Sequence, residues 1–259
     1  MEDLPIKDFW EEQGKRYKDN IRAVNFDPLL EELELFFLER VIKDGEIVCD
    51  VGCGNGRTLL QLAQSYKGST FYGIDFAESM IEVANKSKDT LGVENVHFYR
   101  IDATSEKLRS IFELKFDTVI TKRLLINLRG KDKFKVIENI YDILKDRGTY
   151  VMIECFTEPL DRVNRVRKEL GLDEIKIKFF NEYLSCEFLE KISDKFIIEN
   201  KIDFGSLYYF ISRIFNAYLS EGEPDYYSPI NKLALRLTKM GVIPIEGFSP
   251  EILFVLKKV

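Results

Sequence analysis

The ten residues Val48-Cys49-Asp50-Val51-Gly52-Cys53-Gly54-Asn55-Gly56-Arg57 constrain this chain more than any other segment. The apolar run Ile47 to Val51 ends in three glycines at alternate positions, and helical spacing follows from Arg57 to about Tyr66. A strand, a glycine turn and a helix open a nucleotide-binding βαβ unit. Glycines there let the backbone turn sharply and let a ligand lie against it with no Cβ in the way. The helix N-terminus adds free N–H groups for polar ligand atoms.

The spacing also says which nucleotide fits. A dinucleotide fingerprint, G-x-G-x-x-G, needs a third glycine where this chain has Arg57. Here the pattern is G-x-G-x-G, with Asp50 two positions before the first glycine. A carboxylate at that place repels a pyrophosphate and suits a ligand carrying an ammonium or sulfonium group. The segment resembles motif I of the class I S-adenosylmethionine-dependent methyltransferases.

Three further stretches extend the likeness. Thr70-Phe71-Tyr72-Gly73-Ile74-Asp75 reads as a second strand ending in an acid, 19 positions beyond Gly56. Such an acid can accept both ribose hydroxyls of an adenosyl group. Helical spacing runs from Ala77 to Leu91, and Asn95 to Ile101 reads as a third strand leading into Asp102-Ala103. Phe116 to Thr121 and Lys145 to Glu154 resemble the family's fourth motif and fifth strand, although Lys145-Asp146-Arg147-Gly148 lacks the proline and one glycine of its usual turn. The resemblance covers about residues 44–155. It implies S-adenosyl-L-methionine as cofactor, held by Asp50, Gly52, Cys53, Gly54, Asn55, Gly56, Asp75, Phe76, Met80, Asp102, Ala103 and Thr121. In that family the acid matched by Asp102 lies near the adenine amino group, and Phe76 and Met80 match positions that pack on the ring.

Alternating strands and helices imply parallel pairing with right-handed crossovers, and ligands in such sheets bind at the carboxyl ends of the strands. The expected fold is an α/β three-layer sandwich: a mostly parallel seven-stranded sheet, the class I methyltransferase fold, with helical cap insertions. We expect a single domain over 1–259, divided into N-terminal helices or lid (1–43), cofactor-binding core (44–155) and a C-terminal half (156–259) with a cap insertion at 205–251. In the N-terminal segment, Phe9, Trp10 and Tyr17 mark a short amphipathic stretch that could fold over the cofactor, and Leu29 to Val41 a longer one that packs on the sheet. In the cap, Leu207–Leu219 and Pro229–Met240 carry helical patterns.

Glu154 and Arg123, at the ends of the fifth and fourth strands, are the candidate catalytic residues. Arg123, Asn127, Tyr208, Tyr209 and Arg213 are the candidate substrate residues, the last three because an aromatic and polar helix inserted at the active edge can roof a pocket. The only histidine, His97, falls mid-strand and reads as structural. No metal is expected, since the four cysteines lack zinc-ligand spacing.

Composition bounds the partners. Hydrophobic content of 45% and charged content of 32% suit a globular protein. A net charge of −6 argues against nucleic acid as partner, which calls for a basic excess or stripe. No apolar run is long enough for a membrane span, and no signal-type segment follows Met1, so membrane insertion is not expected and a cytoplasmic location is. The expected partner is a small molecule or glycan terminus, methylated on a hydroxyl or amine. Two alternatives are an NAD-dependent oxidoreductase on a Rossmann-like fold and a catalytically silent methyltransferase-like binding protein. Arg57 and Asp50 count against the first.

Overall fold

The computed structural model of the protein describes residues 5–25, 27–105, 108–112 and 114–259. A helix α1 (Ile6–Tyr17), a short 3₁₀ turn (Ile21–Ala23) and α2 (Pro28–Leu38) precede the sheet. The alternating core then runs β1 (Ile47–Val51), α3 (Arg57–Ser65), β2 (Thr70–Asp75), α4 (Glu78–Leu91), β3 (Val96–Arg100), α5 (Leu108–Ile111), β4 (Phe116–Lys122), α6 (Lys131–Ile143) and β5 (Leu144–Cys155). The C-terminal part holds α7 (Thr157–Glu169), α8 (Cys186–Glu190), β6 (Phe196–Ile202), α9 (Ser206–Phe210), a π-turn (Ile211–Phe215), α10 (Asn216–Leu219), α11 (Pro229–Met240) and β7 (Glu251–Lys258).

The seven strands lie in the order β3-β2-β1-β4-β5-β7-β6. The first five are parallel, and β7 enters antiparallel between β5 and β6. Strand direction explains the two apolar layers. Along β5, Val151 and Ile153 join α2, α3 and α11 on one face, whereas Tyr150 and Met152 join α6 and α8 on the other. The fold is thus the three-layer α/β sandwich of class I methyltransferases.

The strand order reverses between β1 and β4, the neighbours on either side of the switch point, where Val51 pairs with Thr121. The crevice at such a point is open because the connections leave in opposite directions. The residues that follow β1 and β4 are therefore brought to the two walls of one cavity.

Sequence patterning locates the elements closely, β1, β2 and α11 at the bounds expected. The turn that lacks its family proline differs. With Arg147 at φ 57° and Gly148 so confined that a Cβ would stand 2.8 Å from the Lys145 carbonyl, β5 is reached directly from α6 through an irregularity in its pairing with β4.

Candidate functional site

A cavity of about 400 Å³ opens over the carboxyl ends of β1, β2 and β4. Its floor is the glycine turn. Gly52, Gly54 and Gly56 have φ of 81°, 55° and 75°, a region where any side chain is strained. A Cβ on Gly54 would also stand 2.8 Å from Val24, which lines the cavity from the opposite side. Gly56 is not itself a wall. It is the N-cap of α3, and a Cβ there would meet the Phe98 ring at 2.6 Å, so that glycine serves packing behind the site.

Three acids stand at successive strand ends around this floor. Asp50 is buried, and one of its carboxylate oxygens has no hydrogen-bond partner. Burial raises its pKa to about 7, with Lys122 opposing and Asp75 adding to the rise. Asp75 accepts from the Gly54 and Ala77 N–H groups at 3.0 and 2.9 Å, which fixes its orientation, and burial raises it to about 6. Asp102 accepts from the Thr104 N–H and hydroxyl at 2.9 and 2.7 Å and pairs with Lys7. Burial opposes ionisation of Asp102, but these contacts hold its pKa below the usual value. Phe76, Met80 and Ala103 complete that end of the cavity, with Cys53 and Asn55 on the glycine turn.

The roof comes from α1. Lys7 and Trp10 line the cavity, and the Phe9 ring stacks on Phe180 with centroids 4.5 Å apart. Gly14 lets α1 press onto α4, since a Cβ there would lie 2.3 Å from the Ser79 hydroxyl oxygen. The same hydroxyl donates to the Glu11 carbonyl at 2.8 Å. Asn55 ties the following loop down by donating to the carbonyl of Lys18 at 3.0 Å.

Several residues chosen from sequence lie elsewhere, which corrects their expected roles. Glu154 is fully buried and outside the cavity. Its carboxylate accepts the N–H groups of Leu124, Leu125 and Ile126 at 3.0, 2.9 and 3.2 Å. It therefore shapes the turn after β4 and has no free oxygen turned toward a substrate, although burial raises its pKa to about 7. Thr121 is also buried away from the cavity, within 2.8 Å of the Tyr150 hydroxyl. Tyr208 and Arg213 converge on Asp27, at 2.8 and 2.6 Å, and Arg213 packs on the Tyr209 ring. Asp27 caps α2 by accepting from Leu29 and Leu30. Tyr208 and Arg213 thus anchor α2, Tyr209 packs against Arg213, and none of the three lines the cavity.

Arg123 and Asn127 do line it, in a constrained form. Arg123, at φ 55°, directs its guanidinium to Glu34 and to Glu251, the latter at 3.0 Å, so two carboxylates already answer its charge. Burial and repulsion from Glu34 push Glu251 far up, whereas Arg123 and Lys122 hold Glu34 down against its own burial. The side-chain amide of Asn127 donates to the Arg123 carbonyl at 2.5 Å and leaves its oxygen unpartnered.

Sequence reasoning missed Lys7, Asn25, Glu31, Thr58, Lys122 and Asn181 as wall residues. Lys122 was recoverable as the last residue of β4, beside Arg123. Glu31 was not, because an acid in an amphipathic helix reads as solvated. His97 stands on β3 against Tyr72, outside the cavity. Among the described residues no cluster could hold a metal ion, and no helix is long and apolar enough to cross a membrane.

A family of methyltransferase domains matches residues 42–199, and the chain belongs to that family, within the class I S-adenosylmethionine-dependent methyltransferases. The family's cofactor is S-adenosylmethionine. Among curated proteins, the ribosomal protein L11 methyltransferase of Caldanaerobacter subterraneus subsp. tengcongensis is 27% identical over 70% of this chain and 57% of its own length. The chain thus spans little more than half of that relative. The carboxy-S-adenosyl-L-methionine synthase of Nautilia profundicola is 26% identical over 68% of this chain and 73% of its own. In fold, geranyl diphosphate C-methyltransferase from Streptomyces coelicolor A3(2), solved with S-adenosyl-L-homocysteine, superposes with a TM-score of 0.60 at 14% identity, covering 99% of this chain and 100% of its own.

Proposed function

We propose that this protein transfers the methyl group of S-adenosylmethionine to a hydroxyl or amine of a small molecule, a sugar or a glycan terminus. One observation carries the cofactor part of the reading. The buried Asp50 carboxylate has an unpartnered oxygen inside a glycine-floored cavity, an arrangement that lacks only a cation. A buried charge without a partner is unfavourable. The ammonium of the cofactor's methionyl moiety answers it, and a pyrophosphate does not.

The other residues fall into roles by position. Asp75, with both oxygens oriented by backbone N–H groups, would accept the ribose hydroxyls. Asp102 would face the adenine amino group, with Phe76, Met80 and Ala103 around the ring. Backbone of the glycine turn would lie along the methionyl part. When bound, the cofactor supplies an electrophilic sulfonium methyl, so what remains for the chain is alignment and exclusion of water. Trp10 and Phe180 exclude water from above, and Asn127 offers an oxygen to an acceptor's donor group.

A small acceptor is supported by the cover that α1 and Phe180 place over the cavity, and a net charge of −6 disfavours a polyanion. We place the enzyme in the cytoplasm on the same reading. Calorimetric titration with S-adenosylhomocysteine and with NAD tests the cofactor. Binding of the first alone is expected, and binding of NAD alone would overturn the reading. Labelled methyl transfer from S-adenosylmethionine into cell extract, with and without the protein, then tests transfer and separates an enzyme from a silent binding protein.

A further inference from the structure

One charged pair on the wall of the cavity is incompletely bonded. Glu31, carried inward by α2, is 5% exposed, and neither of its carboxylate oxygens has a hydrogen-bond partner. The Nε of Arg57, the first residue of α3, is also buried and unpartnered, 3.6 Å from a Glu31 oxygen and beyond hydrogen-bonding reach. Both side chains line the cavity together with Asp50. Lys122 marks the end of the cavity they share. Its ammonium lies 3.9 Å from Glu31, donates to the hydroxyl of Thr58 beside Arg57 at 2.8 Å, and opposes the rise in the Asp50 pKa.

We propose that Glu31 and Arg57 read the amino-acid end of S-adenosylmethionine, Arg57 taking its carboxylate and Glu31 sharing its ammonium with Asp50. The inference rests on the methyltransferase reading and assigns to the cofactor two residues that strand-end patterning does not reach. An α-amino acid carries its ammonium and carboxylate on one carbon. Laid antiparallel to the Glu31–Arg57 pair, it completes both partners at once. Arg57 is also the cation left for that carboxylate. Lys122 is engaged by Glu34 at 3.0 Å and by Thr58, and Arg123 by Glu34 and Glu251. Lys7 is taken by Asp102. Arg129 donates to the Phe179 carbonyl at 2.9 Å, so it and Lys178 stand with Phe180 against α1, on the Lys7 side. The Arg57 side chain is 38% exposed, which leaves its head free to turn onto a ligand. Gly56 caps α3 without a side chain, so the first N–H groups of that helix add their pull on an anion.

Calorimetry with three ligands separates the two roles. S-adenosylhomocysteine carries both groups, its decarboxylated analogue keeps only the ammonium, and 5′-methylthioadenosine has neither. Arg57→Gln should weaken S-adenosylhomocysteine by about tenfold or more, the loss expected for a hydrogen bond to a charged group, and leave the other two within about twofold. Glu31→Gln should weaken S-adenosylhomocysteine and the decarboxylated analogue by a similar factor and spare 5′-methylthioadenosine, whose binding also reports an intact fold. Should Arg57→Gln fold poorly, Arg57→Met, which keeps the apolar stem, serves the same comparison. A pair that only supports the fold would lower all three affinities together. That result overturns the proposal, as does S-adenosylhomocysteine affinity indifferent to Arg57→Gln, or equal loss of the decarboxylated analogue in that variant. If the wild type binds none of the three ligands, the methyltransferase reading falls instead.

Discussion

At the scale of single residues, Asp50 trades stability for binding. Its folded pKa, about 7, lies above the ordinary aspartate value of 3.8, so the folded protein without cofactor holds a proton that the unfolded chain gives up. The sign follows: this contribution favours folding below the unfolded value and is lost as pH rises through about 7. Asp50→Asn should therefore raise the melting temperature of the cofactor-free protein at pH 8 and leave it nearly unchanged at pH 4. The same substitution should weaken S-adenosylhomocysteine, by about 1.5–3 kcal/mol for a lost charged hydrogen bond. In the wild type, binding near pH 6 should release a proton, visible as a buffer-dependent enthalpy in calorimetry, and this release should vanish in Asp50→Asn. Glu154 makes the contrasting case. Because its oxygens are taken by three backbone N–H groups, Glu154→Gln should lower stability through the donors it leaves poorly answered. The pH profile of methyl transfer, measured on the folded fraction, should keep its shape. Loss of an alkaline-rising limb would restore Glu154 as a base.

Among the elements, α2 has the most to explain, because it carries Glu31 and Glu34 into the interior. What holds it there is a clamp from the insert: Asp27 caps its first turn and is gripped by Tyr208 and Arg213. The Arg213 side chain is 17% exposed and that of Asp27 is 4%, so breaking this pair leaves a buried charge. Arg213→Ala should lower stability by about 3–5 kcal/mol, the range for removing one partner of a buried ion pair. Chemical denaturation checks this, and an unchanged midpoint would return Arg213 to the substrate. The clamp also shows where reading the sequence stops. Strand ends are legible because a period of two and a terminal acid fix both position and direction, which is why Asp50, Asp75 and Asp102 could be placed together. Tyr208, Tyr209 and Arg213 lie on a helical pattern whose partner is about 180 residues away, and nothing local says whether that partner is ligand or Asp27. Likewise Glu154 and Arg123 share a strand edge, but only three-dimensional structure shows one turned into the sheet's far layer and the other toward Glu34 and Glu251.

For the whole molecule, the seat of α1 over the cofactor space joins local stability to binding. The cofactor space is partly covered by α1, which is held by Lys7 on Asp102, Phe9 on Phe180 and the close seat of Gly14 on Ser79. Cofactor packed beneath α1 adds contacts that hold the helix in place. Cofactor binding should thus steady the seat of α1. Hydrogen exchange reads this directly: saturating S-adenosylhomocysteine should slow amide exchange across residues 6–17 and the glycine turn 52–56, with residues 229–240 of α11 unaffected. Gly14→Val, which forces a side chain against Ser79, should erase the protection of residues 6–17 and speed release of S-adenosylhomocysteine, while protection of the glycine turn by bound ligand persists. Equal protection of α1 in that variant would mean that the helix is held by the core alone.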